Sequence, residues 1–185
     1  MIAIDATWWG GLLAALCVGV AAVFLAHGVR QRADRGVSLA HALTGLAMAG
    51  MFSPWGDPVP AGPGAALFAV LAAWTGVRTL RGLTPQRTGA HLVIASAAMV
   101  LMYLLRPADA GHAAHGDAPG LAGLLAVALA LLSAGYFGWH AWTCAERARP
   151  APARPGAPAV SALRTEPAAH VVMSGLMAAM FLTAL

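Results

Sequence analysis

Long apolar runs, separated by short stretches rich in arginine or proline, organise the whole sequence. A helix that crosses a bilayer needs about 20 mostly apolar residues. Six runs reach or approach that length: residues 7–29, 38–53, 64–80, 88–105, 120–143 and 167–185. The second is short and calls for a tilt or a thin bilayer. These runs predict an all-α integral membrane protein, a six-transmembrane-helix bundle forming a single domain over residues 1–185. Only Asp5 is charged ahead of Trp8 and no small-residue cleavage site follows, so the first run is expected to stay as a helix and not to act as a signal peptide. Between runs, Ala145 to Glu166 is rich in proline, alanine and arginine and lacks apolar periodicity, which predicts a flexible, polyproline-like tether. The stretch PWGDPVPAGPG carries four prolines and predicts a compact connector.

Laid over one another, the second, fourth and sixth runs read SLAHALTGLAMAGM, TGAHLVIASAAMVLM and PAAHVVMSGLMAAM. Each places a histidine three residues after Ser38, Thr88 or Pro167, and each then carries a Met-x-x-Met pair. His41 precedes Met48 and Met51 by 7 and 10 residues, His91 precedes Met99 and Met102 by 8 and 11, and His170 precedes Met177 and Met180 by 7 and 10, with Met173 in between. The odd runs echo one another more weakly, through His27-Gly-Val-Arg30, Thr75-Gly-Val-Arg78 and, loosely, His140-Ala-Trp-Thr143. The expected architecture is therefore three helical hairpins related by a pseudo-threefold internal repeat. At 1.5 Å per residue, the methionine tiers would lie roughly 10 and 15 Å beyond a tier of three histidines.

Composition supports the membrane reading: 59% of residues are hydrophobic and 10% charged, against roughly 25% charged in soluble domains. All 11 basic side chains are arginine. Ten of these 11 fall in the loops after the first, third and fifth runs, and only Arg106 lies on the other side. The positive-inside rule then puts both termini outside. No basic helix with interleaved aromatics is present, which argues against nucleic acid. Cys17 and Cys144 have no CxxC spacing, so neither a disulfide framework nor a zinc finger is implied. Phosphate-binding glycine motifs and a nucleophile elbow are absent from the sequence, and all seven acids fall outside the predicted hydrocarbon core.

Polar, ionisable side chains within a bilayer mark functional sites by default. Five of the seven histidines, His27, His41, His91, His140 and His170, fall near the inner ends of runs. A single interfacial histidine often only bonds a carbonyl, and a single Met pair usually fills core space. Repetition at matched depth points instead to ligands. Thioethers suit Cu(I), imidazole suits copper, iron or zinc, and the lack of carboxylates disfavours magnesium, calcium and manganese. Copper, as Cu(I), is the leading expectation, with His41, His91, His170, Met48, Met51, Met99, Met102, Met173, Met177 and Met180 as ligands. The outer His112-x-x-His115 pair would be either a capture point or a polar linker. The alternative cofactor is haem b, ligated by His27 with His41 or by His140 with His170, in a membrane electron-transfer protein. A third reading is a non-enzymatic accessory subunit of a membrane complex. An enzyme, if present at all, would be a copper or haem oxidoreductase.

The segments HALTGLAMAGM, HLVIASAAMVLM and HVVMSGLMAAM, with six spans and arginine-only inner loops, resemble a family of uncharacterised small integral membrane proteins from high-GC actinobacteria, classed as a domain of unknown function. The resemblance implies a multi-pass protein of the bacterial cytoplasmic (inner) membrane. The stacked Met tiers are similar, by distant analogy, to the Met-triad copper importers, although those use Met-x-x-x-Met and assemble as homotrimers. The expected function is copper uptake, storage or delivery, with the lipid bilayer, the copper ion and a periplasmic or extracellular copper donor as partners.

Overall fold

The computed structural model describes residues 6–30, 35–105, 121–149 and 165–183, and these residues form six α-helices without a strand. They are α1 (Ala6–Arg30), α2 (Arg35–Phe52), α3 (Ala61–Leu80), α4 (Gln86–Leu105), α5 (Leu121–Ala148) and α6 (Thr165–Thr183). Four stretches, Trp8–Arg30, Ala61–Leu80, Gln86–Leu105 and Gly123–Arg147, are long and apolar enough to cross a membrane. Pro167–Leu182 is a shorter apolar helix, and α2 is not among the four. The reason lies in the sequence of α2, which carries Arg35, Ser38, His41 and Thr44 in its first three turns. It tolerates them because Ser38, His41 and Thr44 are all buried against protein.

Each odd helix packs along the even helix that follows it, giving hairpins α1/α2, α3/α4 and α5/α6, and further contacts join α1 to α6 and α2 to α4. The odd helices present exposed apolar side chains, among them Leu12, Leu16 and Leu25 on α1, Leu67 and Val70 on α3, and Leu124, Leu129 and Leu132 on α5. Such surfaces suit lipid, which is as apolar as leucine itself. The even helices supply most of the buried interior. The result is an all-α membrane bundle with three even helices inside and three odd helices outside.

In a membrane the hydrophobic effect does not drive helices together, and close packing of small residues takes its place. The α3/α4 hairpin uses two glycines in this way: a Cβ on Gly64 would overlap the Tyr103 ring, and one on Gly89 would overlap the Thr79 side chain. At the end of α3 the chain reverses through a Schellman turn. Leu83 N–H donates to Arg78 O at 2.9 Å and Gly82 N–H to Thr79 O at 3.0 Å, with Gly82 at φ +70°. The 53–60 connector is a tight turn: Ser53 N–H bonds Gly50 O, and Asp57 Oδ1 accepts from Val59 N–H at 2.9 Å.

The alternation of direction brings the ends of α1, α3 and α5 beside the starts of α2, α4 and α6. Arg30, Arg35, Arg78, Arg81, Arg87 and Arg147 therefore collect at one end of the bundle. Exposed tryptophans flank both ends, Trp8, Trp9 and Trp55 at one and Trp74, Trp139 and Trp142 toward the other. That distribution matches the aromatic belts of membrane–water interfaces. Most of the expected proline-rich tether, together with His112 and His115, lies outside the described residues.

Candidate metal centre

His41, His91 and His170 each lie five or six residues into an even helix, at about two turns from the arginine end. Three helices that start at one level and carry a histidine at one depth present those histidines to a common point. One ring nitrogen from each lies within 4.8 Å of a nitrogen from the other two. His41 and His91 are 2% and 4% exposed. Metal–nitrogen bonds of about 2.0–2.1 Å hold three imidazole nitrogens roughly 3.5 Å apart, so an inward shift of each ring by at most about 0.7 Å lets them share one ion.

Hydrogen bonds orient the rings for this. His41 Nδ1–H donates to Val37 O, one turn earlier on α2, at 2.9 Å, which leaves the lone pair on Nε2. His91 Nδ1 lies 3.2 Å from the Tyr136 hydroxyl on α5. Nε2 of His41, Nε2 of His91 and Nδ1 of His170 are buried with no hydrogen-bond partner among the described residues. An unsatisfied buried polar atom costs about 1–3 kcal/mol. Three clustered histidines, each with one such nitrogen, are a poor solution for packing alone and a good one for holding a cation.

Aromatic rings close the cluster. Phe24 of α1 stacks on His41 at 4.7 Å between centroids and meets His170 edge-on at 4.9 Å. His91 lies face to face with His140 at 3.7 Å and 8°. His140 Nδ1 is 3.0 Å from Ser174 Oγ of α6, and Cys144 Sγ approaches the same ring at 3.7 Å. A cavity of about 610 Å³ reaches from these side chains toward the arginine end, and its walls include all five inner-end histidines, Tyr136, Cys144, Arg87 and Arg147. Among the described residues no carboxylate lines it.

The Met-x-x-Met pairs occupy the other half of the interior, and Met173 stands about one turn beyond His170. Met48, Met99, Met173, Met177 and Met180 are buried in the main apolar core, and Met51 and Met102 pack half-buried against it. The helical rise sets Met48 and Met177 roughly 10 Å along the axis from the histidines. His27 lines the cavity at the end of α1. Thr75, its counterpart on α3, spends its hydroxyl on its own helix, bonding Leu71 O at 2.8 Å.

Tyr136, Ser174, Cys144, Phe24 and Phe137 belong to the site and were not singled out from the sequence. One signal was available: α1 reads Phe24-Leu-Ala-His27 and α5 reads Phe137-Gly-Trp-His140, the same Phe-x-x-His step in two odd helices. Both phenylalanines are buried, and Phe137 meets His91 at 6.1 Å.

Fold and cluster together define an all-α membrane bundle with a buried three-imidazole centre at its arginine-rich end. The chain belongs to the family described as a domain of unknown function (DUF5134), whose model matches residues 33–184. The match takes in α2 to α6, and hence all three clustered histidines, and leaves out α1. No curated protein and no solved structure matches the chain.

Proposed function

We propose that this is a copper-binding membrane protein that holds Cu(I) between His41, His91 and His170 and serves copper uptake, storage or delivery. The observation that carries the reading is the meeting of three histidines from three repeats, each with an unpartnered buried nitrogen. Imidazole nitrogens suit copper, zinc, iron or nickel, and the carboxylate-free lining disfavours hard cations. Charge selects within the first group. The cost of burying an ion grows with the square of its charge, so a divalent ion among neutral ligands costs about four times as much as Cu(I). Buried thioethers in the adjoining half of the bundle are soft donors of the same preference, packed within its apolar core.

Haem fits this space less well. A porphyrin ligated by two imidazoles has to pass as a flat plate between them. Of the candidate axial pairs, His140 and His170 stand 6.2 Å apart between ring centroids at 70°, and the ring of His91 lies on His140 at 3.7 Å, beside the ligand where a macrocycle would extend. With the arginine end facing the cytoplasm by the positive-inside rule, the histidine centre sits in the inner leaflet of a bacterial cytoplasmic membrane, and both termini face outward.

The test is metal analysis with an absorption spectrum on detergent-purified protein grown with copper and iron both available. Near-stoichiometric copper without a Soret band is the expected result. A Soret band with iron would replace copper by haem, and metal-free protein would favour an accessory subunit.

A further inference from the structure

We infer that Cys144 and His140 form a second Cu(I) position, one turn nearer the arginine end than the His140 ring, through which metal passes between the three-histidine centre and the cytoplasmic side. This rests on the copper reading above.

Cys144 and His140 stand four residues apart on α5 and so share one face of the helix. Cys144 Sγ lies 3.7 Å from His140 Nδ1 and 3.9 Å from Nε2. Bonds of about 2.3 Å to sulfur and 2.0 Å to nitrogen place those atoms 3.7–3.9 Å apart when the angle at the metal is about 120–130°. The two distances are nearly equal, so Sγ faces the ring between its nitrogens, and a turn of the His140 ring that aims the Nε2 lone pair at Cys144 lets the pair share an ion in low coordination. Ser174 Oγ lies 3.0 Å from His140 Nδ1, and in the tautomer where Nδ1–H donates to it the Nε2 lone pair is left for a metal.

The position is continuous with the first. His140 lies flat on His91, whose buried Nε2 has no partner among the described residues, and all of these side chains border the same cavity. A chain of soft and borderline donors therefore runs from His41, His91 and His170 through His140 to Cys144. Coordination converts the Cys144 thiol to a thiolate, and its proton leaves to solvent at the arginine end. The thiolate cancels the charge of Cu(I), so the ion is neutralised as it leaves the neutral imidazole site. Cys17 makes an instructive contrast. It is equally buried, but it packs in the apolar core beside Gly45 and has no histidine in contact among the interactions described.

The experiment uses the full chain in detergent with Cys17→Ala, titrated anaerobically with Cu(I) from a chelator of known affinity. Bound equivalents are counted while the ultraviolet thiolate-to-copper charge-transfer band is followed. Two equivalents are expected, with the band growing only on the second. Cys144→Ser should then retain one equivalent and lose the band entirely. One equivalent in both proteins, with no band in either, would overturn the second position and leave the three-histidine centre standing. A band on the first equivalent that vanishes together with all copper in Cys144→Ser would merge the two positions into one and also overturn the inference. No copper in either protein would remove the copper reading itself.

Discussion

The two halves of the bundle interior are built on opposite principles from the same three helices. Toward the far end, Met48, Met99 and Met177 are packed to near-zero exposure in a cluster of alanines, phenylalanines and other apolar side chains. At the arginine end the same helices converge on two buried histidines and one half-buried, all three incompletely hydrogen-bonded, beside a cavity. A membrane protein gains nothing in packing from imidazoles that apolar side chains would not supply better. The contrast puts the unsatisfied imidazoles, where copper is proposed to bind, in the arginine half and gives the methionine half the part of framework.

Variants can break that contrast or sharpen it. The largest effect is expected from His91→Ala, which removes one of the three proposed ligands and exposes the other two to a void. Copper retained through purification should fall to background while the helical circular dichroism stays. Tyr136→Phe should act more mildly, because it leaves the ligand and removes only the hydroxyl beside His91 Nδ1. Loss of such a partner weakens metal binding about 10- to 100-fold, readable by competition with a Cu(I) chelator. The smallest effect on binding belongs to the combined change Met48→Leu, Met99→Leu and Met177→Leu. Leucine conserves volume at a cost below about 1.5 kcal/mol per site, so the first equivalent of copper should remain bound as in the unaltered chain. Copper lost from this triple variant would move the centre into the methionine half.

Much of this arrangement was legible because it repeats. A histidine at one depth in three helices of one direction has to meet its copies once the hairpins pack side by side, and the hairpin order followed from the alternation of arginine-rich loops. The lengths of α2 and α6 were less legible, since apolar runs do not distinguish a lipid-facing helix from one shielded by its neighbours. The outer ring of the site was harder still. Tyr136 and Cys144 reach the cluster from α5, whose counterparts on α1 and α3 carry neither residue at the equivalent step, so no repeat announces them. The stacking of His140 on His91 depends on the rotation of α5 against α4, which the local sequence of neither helix encodes.

The most direct test of the three-histidine centre is the copper K-edge X-ray absorption of Cys144→Ser loaded with one equivalent of Cu(I). The account predicts a first shell of nitrogen alone at about 2.0 Å, followed by the outer-shell scattering of imidazole rings. A first shell dominated by sulfur at about 2.3 Å would place the ion among the methionines and contradict it.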